Sequence, residues 1–406
     1  MFPFNIVLLI ILSSTAIAAD VQNEGMSSGF YKFGVDLYQQ CSQFESGNLV
    51  ISPFSVGTSL TLLSQAANGT TYEQLRKHLY LNGEKSIVAD QFRKYIELIK
   101  RSAGQSELMI TNQIYVEERV QLNQNFQKVA TDEFDAGIES VDFVNKNDTL
   151  QLINNFIEEK TKGKIKQIID DEMLTADTRF VLVNAIYLKS IWLQPFPQRK
   201  RDGQFYDMIE KFYISETETV EAKFMKMSKE VWIAELHELD IAALRLDYLK
   251  SNYSFIIILP NKRTGLSTLE AQLQKINLSK IVEQMKFITY RVEIPKFKVK
   301  TKFRLNEILK NMGINEMFEP WANLSGLLNT REPLFVSQVV HQATIEINEK
   351  LIEAAAATGS ASRALSGTGV FRAEHPFMYF VWDRETSTTI FSGCIKNFPT
   401  NATSKQ

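Results

Sequence analysis

The 406-residue sequence predicts a single α+β domain, and three observations carry that expectation. Helical apolar spacing dominates the first part of the chain, strand-like runs dominate the later part, and no repeat, charge block or Pro/Gly linker divides it. Segregated helices and strands argue for α+β rather than a repeated βαβ layout. With 44% apolar and 11% aromatic residues, the chain can bury a large core.

The elements follow in order. Phe2 to Ala19 is apolar, centred on Ile6 to Leu12, and Ala16-Ile17-Ala18 supplies the small residues of a cleavage site. Residues 1–19 therefore read as a secretory signal, too short in its apolar centre to span a membrane, and residues 20–406 as the mature domain. Phe30, Phe33, Leu37, Tyr38, Cys41 and Phe44 recur at helical spacing. Asn48 to Ser52 reads as a buried strand stopped by Pro53, and Val56, Leu60, Leu62 and Leu63 open a helix that ends near Asn68-Gly69. Leu150, Ile153, Phe156 and Ile157 mark a further helix closed by Gly163. Phe180 to Leu188 is nearly all apolar, as a strand buried on both faces should be. Ser254 to Leu259 is similar, and Tyr290, Val292 and Ile294 alternate with polar residues. Phe377 to Trp382 and Thr388 to Ile395, joined by Asp383 to Thr386, read as a C-terminal hairpin.

Several function classes lose support. A net charge of -2 argues against a polyanion-binding field, so no nucleic-acid partner is expected. The chain holds no Gly-x-Ser-x-Gly, His-Glu-x-x-His, Cys-x-x-Cys or phosphate-binding Gly-rich motif, and its four histidines lack metal-like partners at helical or hairpin spacing. Neither catalysis, metal nor cofactor is expected. The two cysteines, Cys41 and Cys394, exclude a disulfide scaffold, and spacing leaves their pairing open. Asn-x-Ser/Thr sites at Asn68, Asn147, Asn252, Asn277, Asn323 and Asn401 fit a secretory route. Lys296, Lys298, Lys300 and Lys302 alternate with Phe297, Val299, Thr301 and Phe303, which puts four lysines on one strand face, read first as a solvated sheet surface and second as an acidic-partner or glycosaminoglycan patch. Arg76, Lys77 and His78 form a weaker basic group. Asn184 is the polar residue inside an apolar run and demands a partner, and His341 reads as a core or strand-end histidine.

The informative segment runs from Glu353 to Thr358, Glu-Ala-Ala-Ala-Ala-Thr, and continues through Gly359 to Gly367. It carries few bulky side chains between two stretches of evident core, the alternating Thr344 to Glu349 and the apolar run from Pro376. Long structureless loops in compact domains are usually functional or disordered. Small side chains also let such a backbone slide between existing strands.

The residues Asn48 to Ser55, Ala67 to Thr71, Leu182 to Tyr187, Trp192 with Pro195-Phe196, Ile294 to Phe297, His341 to Ala343, Asn348-Glu349, Glu353 to Thr358, His375 to Phe377 and Phe391 to Gly393 together resemble the serpins, over essentially the whole mature length. The resemblance suggests an insect or other arthropod secreted member. It implies the serpin fold, with three β-sheets, about nine helices and an exposed reactive-centre loop over about 349–375. It further implies a secreted, monomeric inhibitor that traps an extracellular serine protease as a suicide substrate, with the cleaved loop inserting into the central sheet. Ser52, Ser55, Asn184 and His341 resemble the polar cluster that gates the sheet, and Trp192 the aromatic where insertion starts. Counting seventeen residues from the hinge Glu349, as the family does, reaches Leu365 and puts the scissile bond at Leu365-Ser366. Leucine there suits a chymotrypsin-like or elastase-like pocket ahead of a trypsin-like one. A shifted register offers Arg363-Ala364 instead. The hinge departs from the family, because Leu351 and Ile352 stand where Gly-Thr is usual, ahead of Glu353, Ala354, Ala355, Ala356, Ala357 and Thr358. Bulk entering a packed sheet costs about 1–3 kcal/mol. About 1.4 kcal/mol on the insertion barrier slows insertion tenfold. The alternative reading is therefore a non-inhibitory serpin-fold carrier, chaperone or storage protein.

Overall fold

The computed structural model describes residues 25–175, 177–201, 204–329, 333–349 and 369–399. The signal segment, Asn401 and the loop residues Leu351 to Ser366 lie outside the described residues. Within them are nine α-helices: α1 (25–44), α2 (Pro53–Ala66), α3 (Gly69–His78), α4 (Lys85–Ala103), α5 (Gln124–Lys128), α6 (Lys146–Lys160), α7 (Leu266–Ala271), α8 (Leu278–Gln284) and α9 (Asn306–Asn311). The strands are β1 (Leu49–Ile51), β2 (Glu107–Glu117), β3 (Ala136–Val141), β4 (Phe180–Lys189), β5 (Arg199–Arg201), β6 (Gln204–Tyr206), β7 (Met208–Tyr213), β8 (Thr219–Leu236), β9 (Ile241–Asp247), β10 (Tyr253–Pro260), β11 (Lys286–Pro295), β12 (Phe297–Arg304), β13 (Gln338–Ile347), β14 (Val370–Arg372), β15 (Phe377–Asp383) and β16 (Thr388–Ile395).

Among the described residues they form three sheets. One has five strands in the order β12-β13-β4-β2-β3; a nine-stranded sheet runs β1-β16-β15-β10-β9-β8-β11-β14 with β7 on β8; β5 and β6 make a ribbon. The α+β expectation holds, and the predicted helices and strands stand within a few residues of their expected bounds. The strands β2 and β3, which precede most of the sheet in sequence, escaped the periodicity reading. Polar Thr111, Asn112 and Gln113 interrupt β2, although all three are buried there.

Helix α2 explains the depth of the five-stranded sheet's burial. Ser52 caps it, its Oγ accepting the Ser55 N–H at 3.2 Å, and Pro53 occupies the first turn, where the missing N–H is harmless. Nearly every α2 residue is buried, so this is a central helix without a wet face. Two of its hydroxyls return to their own helix: Thr58 donates to Phe54 O at 2.8 Å and Thr61 to Gly57 O at 2.8 Å. Gly57 leaves room for α1, since a Cβ there would lie 2.6 Å from Phe30 Cε1. The opposite face of the sheet packs on α6, where Ile153 and Ile157 join Val181, Val183, Ala185 and Val340. Strand β4 is thus sandwiched, which is why its sequence is apolar on both faces.

One expectation needs correction. Lys298, Lys300 and Lys302 do occupy the exposed face of β12, alternating with buried Phe297, Val299, Thr301 and Phe303. Lys296 precedes the strand and instead turns its ammonium into an ion-paired site, with its side chain only 13% exposed. Lys302 reaches Asp170 at 3.1 Å. The lysines mark an edge strand, where charge deters pairing with another chain.

Gly104 caps α4 at φ +55°, and a Cβ there would sit 1.9 Å from Lys250 O. Gly104→Ala should cost about 3 kcal/mol or more, from left-handed strain plus overpacking. Denaturant unfolding of that variant checks it; a loss under about 1 kcal/mol would show that the turn before β10 yields freely.

Candidate functional site

The site is a seam. Strands β13 and β4 run parallel as direct neighbours, registered from Gln338↔Val181 through Ile345↔Leu188. Across that register His341 stands opposite Asn184, and Asn184 stands opposite Asn112 of β2. All three side chains are buried within reach of α2, whose N-terminal serines complete a polar cluster inside the apolar core.

The hydrogen bonds fix each role. His341 Nε2 accepts the Ser52 backbone N–H at 3.1 Å, so that nitrogen carries no proton. Its Nδ1–H therefore donates to Asn184 Oδ1. The Asn184 amide donates to Ser55 Oγ at 2.5 Å, to Ser59 Oγ at 3.3 Å and to Asn112 Oδ1. Ser59 Oγ donates to Asn112 Oδ1 at 3.0 Å, and Ser52 Oγ to Ile390 O at 2.7 Å. The cluster ties β13, β4, β2, α2 and β16 to one another. Burial pushes the His341 pKa down to about 3, which keeps the ring neutral and the tautomer fixed.

Ser52, Ser55, Asn184 and His341 are thus brought together as the sequence indicated, with His341 in mid-strand rather than at a strand end. Ser59 and Asn112 belong to the same cluster and were missed. Ser59 lies one helical turn after Ser55, a signal available once Pro53 is recognised as a helix start. Asn112 was hidden with the rest of β2.

The upstream stem of the loop is held at the end of the seam. Trp192 is buried, stacked on Tyr248 at 4.9 Å between centroids, with Phe196 and Phe255 edge-on at 5.9 and 5.8 Å. Its indole N–H donates to Asn348 O at 2.8 Å. One residue on, Glu349 accepts from Lys296 Nζ at 2.7 Å. Lys296 also bonds Asp207, which Lys223 approaches at 2.7 Å. Burial works against the Lys296 charge, but its bonds to Asp207 and Glu349 prevail and raise its pKa. The bonds from Lys223 and Lys296 hold the Asp207 carboxyl below its usual range.

The remaining candidates are scattered. Asn68 donates to Ser325 Oγ at 2.9 Å, Asn252 to Glu385 Oε2 at 2.8 Å, and Asn277 accepts the Lys280 N–H at 3.1 Å as a helix cap. Asn323 accepts from Ser325 Oγ at 2.8 Å, and Asn147 is exposed in the first turn of α6. Arg76, Lys77 and His78 form the last turn of α3, where Arg76 pairs with Glu73. Cys41 and Cys394 are buried free thiols, and burial raises the Cys394 pKa to about 11. Among the described residues no group of three or more His, Cys, Asp or Glu could hold a metal, and no helix is long and apolar enough to cross a membrane.

Two outcomes follow. Because His341 has a folded pKa near 3 and an ordinary unfolded value near 6.5, its contribution to stability is complete above about 6.5 and is lost as pH falls toward 3. Each pH unit inside that window removes about 1.4 kcal/mol. Melting curves of the parent and of His341→Gln between those limits test this; parallel pH slopes would refute it. Asn112→Ala removes one acceptor each from the Asn184 amide and the Ser59 hydroxyl, which keep Ser55 Oγ, Ser59 Oγ and Ser55 O, and should cost about 0.5–1.5 kcal/mol in denaturant unfolding.

Residues 28–398 match the family profile described as Serpin (serine protease inhibitor). The chain is 33% identical over 364 residues to Serine protease inhibitor 42Dd of Drosophila melanogaster, covering 88% of this chain and 94% of that protein. It is 31% identical over 351 residues to Antichymotrypsin-2 of Bombyx mori, covering 85% and 91%. The structure of Serpin48 from the insect Tenebrio molitor superposes with a TM-score of 0.82 at 28% identity, covering 93% of this chain and 99% of that one. The family profile and these likenesses together show that the chain belongs to the serpin family.

Proposed function

We propose that the protein is a secreted, monomeric inhibitor of an extracellular serine protease, not itself an enzyme, and that it acts as a suicide substrate. The observation that carries this reading is the closed β13–β4 seam. Its eight parallel register pairs separate two strands whose mutual contact a new strand can replace, and the chain leaving β13 is the small-residue loop itself. Cleavage at Leu365-Ser366 would free the segment from Glu349 onward to add as a strand in that seam. An acylated protease would travel with it before water resolves the ester. Leucine before the bond favours a chymotrypsin-like or elastase-like target, in keeping with a relative named Antichymotrypsin-2; Arg363-Ala364 remains the alternative bond for a trypsin-like one. The signal-like residues 1–19 and the Asn-x-Ser/Thr sites support secretion.

A second reading, a non-inhibitory serpin-fold carrier, chaperone or storage protein, rests on Leu351 and Ile352 at the hinge. The retained Ala354 to Ala357 favours the first, since a chain released from insertion has little need of four small residues there.

Incubation with chymotrypsin, elastase and trypsin, followed by denaturing gels, separates the two. The inhibitor gives a covalent complex that survives denaturation. Cleavage with neither complex nor a rise in melting temperature overturns it. Combined Leu351→Gly and Ile352→Thr should enlarge the trapped fraction, up to about tenfold per 1.4 kcal/mol removed from the barrier.

A further inference from the structure

A cavity of about 220 Å³ lies between α1, α2, α4 and the turn that follows α3. Its walls are apolar: Phe30 and Phe33 of α1, Leu79 and Leu81 after α3, Val88 and Phe92 of α4. All six side chains are buried, and Phe30 and Phe92 meet at 5.5 Å between centroids to make one aromatic corner. Protein interiors hold few voids larger than a water molecule, because a wall without partner atoms forfeits its dispersion contacts. An apolar cavity of about 150 Å³ stays dry and takes up benzene. This one has room for a ring and a short alkyl chain.

Three polar side chains join the walls. Thr61 of α2 is 1% exposed and gives its hydroxyl hydrogen to Gly57 O, so toward the cavity it can only accept. Gln91 is half-buried and Asn82 exposed, and among the described residues neither side-chain amide has a hydrogen-bond partner. No Lys, Arg, His, Asp or Glu lines the cavity among the described residues. A charged ligand would lose its hydration there without a counter-ion. The molecule that fits is therefore neutral, with a hydroxyl to meet the free amide.

The rim carries a strained residue. Helix α3 ends in a Schellman turn, with the Leu81 N–H on Arg76 O at 2.9 Å and the Tyr80 N–H on Lys77 O at 3.3 Å. Tyr80 takes its left-handed position at φ +56°, where glycine is usual. The side chain that glycine would lack lines the cavity and is held against α1. Its hydroxyl donates to Asp36 Oδ2 at 3.2 Å, and Lys32 Nζ stands 5.4 Å from the ring centroid. Backbone strain of this kind is kept where the side chain has a task, here that of a wall. The chain itself offers little to fill the space, since Asp20 to Glu24, just ahead of Gly25 at the rim, carries Val21 as its one apolar side chain.

We propose that this cavity is a binding site for a neutral single-ring molecule with a short alkyl chain and one hydroxyl group, of the alkylphenol class. The ring lies against Phe30 and Phe92, and the hydroxyl pairs with Gln91. The site shares no residue with the loop or with the polar cluster at the seam, and it stands whether or not the chain traps a protease.

The test titrates 4-propylphenol into the full chain by calorimetry, with the methyl resonances of Leu79, Leu81 and Val88 reporting the place. Saturable one-to-one binding that shifts those methyls supports the site; no saturation by about 1 mM probe overturns it. 4-Propyltoluene, of the same shape without the hydroxyl, should bind about tenfold more weakly, and Gln91→Leu should bring the phenol down to that level. A phenol affinity unchanged in Gln91→Leu, or matched by the charged 4-propylbenzoate, overturns the assigned ligand class. Val88→Phe, which fills the cavity from α4, should abolish binding. If that variant fails to fold, Tyr80→Gly decides, since glycine suits the left-handed turn while the wall is lost. Binding at least tenfold weaker in Tyr80→Gly supports the site, and parental affinity removes it. An affinity raised tenfold by Val21→Asp would assign the cavity to the chain's own N-terminal arm and overturn the proposal.

Discussion

The parallel contact between β13 and β4 is the interaction on which the rest of the molecule depends. Parallel neighbours pair slightly less stably per residue than antiparallel ones. Here they are closed over eight register pairs in the middle of a five-stranded sheet. Both faces are covered, by α2 below and α6 above, so the seam cannot simply fray into water. What keeps it shut is therefore local. The row His341–Asn184–Asn112 places polar groups across three adjacent strands and anchors them to the serines of α2. A polar cluster suits a gate because each bond in it is directional. Opening strands the donors together, whereas an apolar seam would lose contact gradually.

The loop stems and the seam form one device with two holds. Upstream, Trp192 grips Asn348 and Lys296 grips Glu349; downstream, Glu293 and Glu210 grip Arg372. Strands β7, β8 and β11, with the residues flanking β7 and β11, supply residues to both holds, three positions apart: Asp207 and Glu210, Lys223 and Lys226, Glu293 and Lys296. The two differ in burial. Asp207 is partly exposed, whereas Glu293 is almost fully enclosed.

How much of this was legible depended on periodicity. The helices α1, α2 and α6 and the strands β4, β10, β15 and β16 stand out because a single apolar pattern runs through each. Strand β2 does not, because burial there is imposed by the fold on Thr111, Asn112 and Gln113, whose types signal surface. The polar cluster at the seam was only half visible for the same reason. Asn184 announces itself as one polar residue in an apolar run, but its acceptor Asn112 lies in a stretch with no such contrast. Ion pairs were the least legible. Lys296 reads as the first of four surface lysines, and only the fold brings Asp207 and Glu349 to it from 89 and 53 residues away. Glu293 likewise carries no mark of burial in sequence.

The hinge acts where the upstream hold acts, and that coincidence bears on the competition between insertion and hydrolysis. In the proposed insertion, freeing Asn348 and Glu349 would precede entry of Leu351 and Ile352, so both costs would bear on its first step. Later residues, Glu353 to Thr358, are mostly alanine and add strand contacts at little steric cost. In the proposed mechanism a barrier at the start would slow the race, and the same bulk would stay in the inserted sheet. An ester hydrolysed during that delay releases protease and leaves a cleaved chain that can still insert. On that reading a bulky hinge would shift the partition from trapping to turnover beyond what it takes from the stability of the inserted product. A cleaved protein that gains thermal stability while trapping little protease would locate the defect at Leu351-Ile352, whereas one that gains none would place it in the seam itself.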